Sequence, residues 1–410
     1  MTEEAATEYL QSEEEKKVYN SIKNGEYSER IPCKILKITR EEIKDALKTE
    51  KSILKMERVP RILDCSIFQE ANKKRGIHIE TDAMYKKTDN LWIVLDESSE
   101  KGHPATLVLS YEYFTHNELL KKAGICEKEY QSSYNRVGSI IHLNLKEESL
   151  KHKEIIAKTL LNKIKDCKTV IRKKSNIENV FRNIEIDHLQ GVPSYKTVHR
   201  ENGLKFSIDY DKVYWNSKLQ KEREVLSKEI HKNQTVCDMF CGVGPFSILA
   251  LYKGAEVWAN DLNPASVANF KESIILNRKA LGLEEVESAI WNEELEDRVH
   301  LYNLDAYEFL KEATETRKKM NVSSRFNHYI LNLPELTLTF IKHFAALEKN
   351  TQPHKSGHAT VHAYFFIRTG ESATEKIEKE MNRKIEGTAR LVRKVSPSKE
   401  MWVVSFTLLQ

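Results

Sequence analysis

From about residue 200 onward, short apolar runs alternate with stretches of helical period. The runs at 235–240, 255–260, 298–304, 328–331 and 359–367 have the length and composition of buried strands. Between them, helices are predicted over 245–252, 266–281, 305–311 and 336–347. The second carries Val267, Phe270, Ile274 and Leu281 on one face, and the fourth carries Leu336, Phe340, Phe344 and Leu347. A last helix is predicted over 371–385, with Ile377, Met381 and Ile385 in register. Strand–helix repetition implies a mostly parallel sheet with right-handed crossovers. The closing runs, 389–395 and 402–408, are joined by Ser396-Pro397-Ser398-Lys399-Glu400 with no helix, so they are expected to pair antiparallel.

The first half of the chain is less regular. Residues 1–30 are charged and read as a peripheral lead-in. Short apolar runs from Ile35-Leu36 to 91–95 predict a small N-terminal domain over 31–105, with Lys101-Gly102-His103-Pro104 as its boundary. A middle α/β domain over 106–204 follows from strands at 139–145 and 169–171 and a helix at 154–161. The regular alternation then defines a third domain, 205–410.

With 40% apolar and 31% charged residues, the chain is neither wholly disordered nor, lacking any apolar run near the length of a bilayer span, an integral helical membrane protein. The balance of 65 Lys+Arg against 61 Asp+Glu leaves a net charge of +4, so bulk charge announces no nucleic-acid partner. A local basic excess does lie over 151–182, and by itself it reads first as a solvated helix face. In the sharper reading, Lys163, Lys165, Arg172, Lys173 and Lys174 could form a phosphate track. The six cysteines are scattered without zinc-knuckle spacing, which predicts free thiols, a reducing compartment and no metal site. The acidic start, MTEEAATEYLQSEEEKK, resembles neither a secretory signal nor a transit peptide. A cytoplasmic or nuclear location is expected, and a mitochondrial pool is left open.

Candidate chemistry gathers at the predicted strand ends. Asp238-Met239-Phe240-Cys241-Gly242-Val243-Gly244-Pro245-Phe246 joins the first strand to the first helix. Gly242 and Gly244 permit close backbone approach, Pro245 suits the first helical position, and the helix N-terminus attracts an anion. Ile248 stands where a dinucleotide fingerprint needs its third glycine, which counts against a nicotinamide cofactor. The second strand ends at Asp261, suited to a ribose, and the third at Asp305-Ala306, suited to an adenine amino group beside a small residue. The fourth ends at Asn332-Leu333-Pro334. Each alone is commonly a turn residue; their occurrence at equivalent ends favours a ligand crevice.

This arrangement resembles the Rossmann-like class I S-adenosylmethionine methyltransferases, which also close with an antiparallel hairpin. Asn332-Leu333-Pro334-Glu335 lacks the second proline and aromatic residue of amino-group methyltransferases. The only Pro-Cys, Pro32-Cys33, lies far outside the domain, which disfavours covalent cytosine chemistry. A longer similarity covers about 105 to the C-terminus. Val213-Tyr214-Trp215-Asn216-Ser217-Lys218-Leu219, Glu222-Arg223-Glu224, 238–246, 259–264 and Asn332-Leu333-Pro334 look like the eukaryotic and archaeal tRNA (guanine-37-N1)-methyltransferases, with Gly138–Leu145, Phe181-Arg182 and Gly191 upstream. Arg223 stands where family members commonly carry His, Lys218 where Arg is usual, and Cys241 where Ala is usual.

The resemblance implies a class I methyltransferase domain preceded by smaller α/β tRNA-binding domains. It implies S-adenosylmethionine as methyl donor with no metal, tRNA bearing guanosine 37 as partner, no membrane, and a monomer. Glu222 becomes the base for the N1 proton, Arg182 the cation near O6, and Asn332 the residue where cofactor and base meet. Arg223, Asp238, Gly242, Gly244, Asp261, Leu262, Asp305, Ala306 and Asn332 would hold the cofactor. Arg172, Lys173, Lys174, Arg182 and Pro334 would contact the tRNA. By residue pattern alone, Glu222 in its Lys-Glu-Arg-Glu run reads as a helix-surface residue, and Arg182 as a surface arginine. Two other functions fit the pattern: the wybutosine-pathway aminocarboxypropyl transferase, and a catalytically silent tRNA-binding protein.

Overall fold

The computed structural model describes residues 12–64, 73–81, 91–130, 134–174, 185–282, 298–350 and 359–408. They fall into two compact units, Met1–Tyr134 with Ile141–Arg172 and His188–Pro193, and Asn135–Ile140 with Lys173–Asp187 and Ser194–Gln410. Among the described residues no helix is long and apolar enough to cross a membrane.

The first unit opens on helix α1 (Glu13–Asn24), which is capped at both ends: Ser12 and Glu15 form a capping box, and Gly25 closes the C-terminus at φ +77°. Its Tyr19 and Ile22, three apart, are buried. The lead-in expected over 1–30 is therefore, from residue 12, a packed helix whose apolar stripe is narrow enough to be hidden among its charges. Strand β1 (Ser28–Ile38) follows, then α2 (Ile43–Thr49), β2 (Ile62–Asp64), β3 (Ile77–Glu80), β4 (Leu91–Asp96) and β5 (His103–Ser110). These strands make an antiparallel sheet in the order β2-β4-β1-β5-β3. His103 and Pro104 pair with Ile35 and Lys34, so the boundary predicted at Lys101–Pro104 is a turn inside this sheet. Helices α3 (His116–Lys122) and α4 (Lys153–Lys163) share one core with α1 and the sheet through Leu119, Leu120, Ile155, Ile156, Ile35 and Leu107. The predicted N-terminal domain and much of the middle one are thus a single unit. Four short strands complete this stretch of chain: β6 (Tyr134–Val137), β7 (Ile140–Leu143), β8 (Thr169–Lys173) and β9 (Ile186–Gly191).

The second unit begins with the hairpin β10 (Lys196–Glu201) and β11 (Leu204–Asp209) and helix α5 (Gln220–Ser227). Then come β12 (Thr235–Asp238), α6 (Pro245–Tyr252), β13 (Glu256–Asn260), α7 (Pro264–Asn277), β14 (Val299–Tyr302), α8 (Ala306–Lys319), β15 (His328–Leu331), α9 (Thr337–Asn350), β16 (Thr360–Arg368), α10 (Ala373–Met381), β17 (Gly387–Ser396) and β18 (Lys399–Thr407). The seven-stranded sheet has the order β14-β13-β12-β15-β16-β18-β17. Pairs from β14 to β16 are parallel; β18 runs antiparallel to both β16 and β17, as the closing runs predict. Helix α8 extends to Lys319, eight residues past the predicted end at 311, because Ala313, Thr314 and Arg317 keep a buried stripe in a polar sequence.

The β10–β11 hairpin was not legible as such, and it is fastened by side chains of α7. The backbone N–H groups of Lys205, Ser207 and Asp209 donate to Asn277 Oδ1 (2.8 Å), Ser273 Oγ (2.9 Å) and Asn269 Oδ1 (2.9 Å). Strand donors two residues apart thus meet helix acceptors four apart. This satisfies donors that an edge strand would otherwise leave open.

Candidate active site

The carboxyl ends of β12, β13, β14 and β15 surround a cavity of about 220 Å³ in the second unit. The glycine turn forms one wall. Gly242 and Gly244 sit at φ +56° and +87°, where side chains rarely go, and Gly244 is the N-cap of α6 with Pro245 at the first helical position. In front of Gly242 there is open space, whereas a Cβ on Gly244 would run into the Phe270 ring. The first glycine leaves room for a ligand; the second lets α6 and α7 pack.

Asp261 holds this turn. Its Oδ2 accepts from Gly242 N–H (2.9 Å) and its Oδ1 from Asn263 N–H (2.9 Å). Burial pushes its carboxyl above the usual range, against the pull of those bonds and of Ser266. Asn260 bridges to the end of β14, donating to Leu304 carbonyl (3.0 Å) and accepting from its N–H (2.9 Å). Asp305 caps α8 by accepting from Tyr307 N–H (2.9 Å), and it lines the cavity beside Ala306. Leu262 lines it too and is 47% exposed. Asp238 lies fully buried at the end of β12, accepting from Ser247 Oγ (2.6 Å), with Oδ1 unpartnered. Burial pushes it up to about 7. A cation bound nearby would favour the ionised form of both carboxyls.

Asn332 and Pro334 line the opposite end, and Asn332 Oδ1 is buried without a hydrogen-bond partner. Trp215, Asn216, Leu219 and Arg223 close another side. Arg223 is buried. It donates through one nitrogen to both oxygens of Glu201 (2.8 and 2.7 Å), through another to Asn216 carbonyl (3.0 Å), and lies 4.5 Å from the Trp215 ring centre. Burial lowers Arg223 and raises Glu201, each outweighing the attraction of the other.

Glu222, on the next position of α5, is 5% exposed, which excludes the surface reading. Tyr364 Oη donates to its Oε1 (2.9 Å), and Arg390 grips both oxygens (2.6 and 2.7 Å). These bonds join α5 to β16 and β17. Neither Tyr364 nor Arg390 was foreseen from the sequence, nor were the cavity residues Phe366, Arg393 and Met401. All lie on the closing strands, whose facing pattern depends on irregular pairing described below.

Arg182 lies outside the described residues. Arg172 and Lys173 are half-buried on β8, and Lys174 pairs with Glu185 at 3.3 Å. Lys163, expected on the phosphate track, instead donates to the Tyr111 carbonyl and sits 4.1 Å from the Tyr111 ring centre. Burial lowers it to about 8.

Carboxylates on successive strand ends, a glycine turn with open space before it, and a terminal antiparallel pair together define a Rossmann-like class I S-adenosylmethionine methyltransferase. Residues 197–357 match the TRM5/TYW2 methyltransferase domain, and 117–194 match the TYW2 N-terminal domain. The tRNA (guanine(37)-N(1))-methyltransferase of Encephalitozoon cuniculi is 35% identical over 376 residues, covering 90% of this chain and 92% of that protein. That of Dictyostelium discoideum is 33% identical over 355 residues, covering 83% and 72%. The chain belongs to the TRM5/TYW2 methyltransferase family. Among solved structures, aTrm5 in complex with tRNALeu superposes with a TM-score of 0.62 at 24% identity, covering 92% of this chain and 99% of that one. Pyrococcus horikoshii TYW2 in complex with MeSAdo gives 0.52 at 22%, covering 71% and 97%. At these identities the superpositions establish the fold.

Proposed function

We propose that this protein methylates N1 of guanosine 37 in tRNA, with S-adenosylmethionine as donor. Its relatives carry that name over nearly the full length of the chain. The observation that carries the chemistry is the buried Glu222, one residue from cavity-lining Arg223 on α5 and fixed by Tyr364 and Arg390. The cavity fits the cofactor: open space before Gly242, carboxylates at Asp261 and Asp305, and the unpartnered Asn332 Oδ1. When bound, S-adenosylmethionine supplies a methyl group on an already electrophilic sulfur.

In this reading Asp261 binds the ribose and Asp305 the adenine, and Asn332 orients the acceptor at the junction. Glu222 takes the N1 proton. A carboxylate offers about four lone-pair sites, and Tyr364 and Arg390 occupy three here, leaving one for the proton. Tyr364 and Arg390 fix the position and orientation of that carboxylate. Arg172, Lys173 and Lys174 are proposed to meet tRNA phosphates, Pro334 to meet the base, and Arg182 to serve the reacting guanine. We also propose a monomer in the cytoplasm or nucleus. Among the described residues, the thiols Cys33, Cys126, Cys237 and Cys241 form no disulfide, which supports a reducing compartment.

The test is single-turnover methyl transfer to G37 transcripts by Glu222→Gln. The expected loss is about 10²–10⁴-fold, the range for a general base, with cofactor affinity little changed. A near wild-type rate would return Glu222 to a structural role. Mass spectrometry of the modified nucleoside separates a methyl from an aminocarboxypropyl product.

A further inference from the structure

The cavity has two ends built from different strands. Gly242, Asp261, Asp305 and Ala306, from the β12–β14 side, are suited to the cofactor. The other end is made by β15 to β18, and its lining includes Pro334, Phe366, Met401 and Arg393. Phe366, Met401 and Arg393 form one row across three strands, Phe366 opposite Met401 and Met401 opposite Arg393. The adjacent same-face row is Tyr364, Val403 and Arg390, the row that grips Glu222. Arg393 thus stands one row along from the proposed base.

A bulge puts it there. Leu391 pairs with Trp402, but the next pair is Arg393 with Met401, so Val392 is an extra residue. In a regular ladder Val392 would oppose Met401, and Arg393 would face the other side of the sheet. The bulge therefore turns a cation into an otherwise largely apolar end of the cavity. Arg390 has Glu222 as counter-ion; among the described residues no carboxylate pairs with Arg393, and its Nε is buried without a hydrogen-bond partner. A guanidinium presented in this way calls for an acceptor from a ligand.

We propose that Arg393 donates to the C6 carbonyl oxygen of the acceptor guanine, stabilising the negative charge that develops there as N1 loses its proton to Glu222. This rests on the guanosine-N1 reading above. It makes Arg393 a catalytic residue beside, or in place of, Arg182. Arginine suits this role because its planar fork matches the O6/N7 edge that distinguishes guanine from adenine.

The experiment uses the full chain with S-adenosylmethionine and G37 transcripts, comparing wild type, Arg393→Gln and Arg393→Lys. At saturation, Arg393→Gln should lose about 10²–10³-fold in single-turnover rate, as on removing a donor to a developing oxyanion. Arg393→Lys should recover part of it. Calorimetric affinity for S-adenosylmethionine, tRNA affinity and its salt slope should hold. A transcript with 6-thioguanosine at position 37, whose sulfur accepts hydrogen bonds weakly, should slow the wild type more than either variant; a purely structural role would not produce that pattern. Unchanged rates in both variants overturn the proposal. So does a loss confined to cofactor affinity, which would assign Arg393 to the cofactor carboxylate. A tRNA salt slope lowered by about 0.7–0.9 at unchanged saturating rate overturns it too, and assigns a phosphate. Wild-type protein that leaves G37 transcripts unmethylated refutes the underlying reading instead.

Discussion

Arg223 and Glu201 show what a single residue can demand of its surroundings. Their side chains are 3% and 1% exposed, and a charge removed that far from water is tolerable only while paired. The third contact, Arg223 to the Asn216 carbonyl, ties the pair to the cavity wall. Arg223→Ala would strand Glu201, and we expect a loss of about 3–5 kcal/mol in urea unfolding. Replacing both partners, with Arg223→Met and Glu201→Gln, should restore much of that loss. If the single and double variants unfold at the same urea concentration, the stranded charge is not the cause. The motif placed Arg223 beside the cofactor; it could not supply Glu201, 22 positions earlier on a hairpin the pattern did not announce.

At the scale of elements, the two glycines of the first turn make separable demands. Gly242→Ala places a methyl in open cavity space at φ +56°. Its stability cost should be about 1–3 kcal/mol, from backbone strain alone, while S-adenosylmethionine affinity falls because the methyl occupies the ligand's approach. Gly244→Ala adds a collision with Phe270 at φ +87° and should destabilise more, as the α6–α7 contact yields. Thermal unfolding beside calorimetry checks the order; equal stability losses would refute the division of labour. Strand ends bearing Asp238, Asp261, Asp305 and Asn332 were legible because parallel strands and crossover helices have strong periods. Tyr364, Phe366, Arg390 and Arg393 were not. Their common face depends on pairing partners and on one extra residue in β17, neither of which leaves a period in a single chain segment.

For the second unit as a whole, β16 connects stability to the site. His362, Tyr364 and Phe366 share one face, at positions 362, 364 and 366, running from the interior to the cavity. His362 Nε2 meets His328 Nδ1 at 3.0 Å and its Nδ1 meets Ser405 Oγ at 2.9 Å, while His328 reaches Gln234 (3.1 Å). Burial lowers His328 to about 4 and His362 to about 3. Both are neutral when folded, whereas an unfolded histidine binds a proton near pH 6.5. Their contribution is therefore full above pH 6.5 and is lost as pH falls toward 4 and below. His199, lowered to about 4, adds the same sign in this unit, and His116 and His152, also lowered to about 4, do so in the first. The urea midpoint should drop between pH 7 and 4.5, and His362→Gln should flatten the profile in part. An unaltered slope in that variant would assign the acid sensitivity to other groups.

The rungs between α7 and β11 behave as a vernier scale. Four helical residues advance about 6.0 Å and two strand residues about 6.8 Å. Two rulers with such divisions coincide at one mark and drift apart on either side. The central mark is Ser273 on Ser207, where the shorter arm suffices; the flanking marks, at Asn269 and Asn277, have the longer amide arms. One division further out the drift reaches about 1.6 Å; at one end the helix offers Ala265, which has nothing to extend, and at the other it ends at Asn277, short of the apolar Leu281. The fastening is thus finite by arithmetic. Lengthening either element would add no rung, and sliding the strand by one division would pair the hydroxyl where an amide is needed and leave an outer mark unmatched.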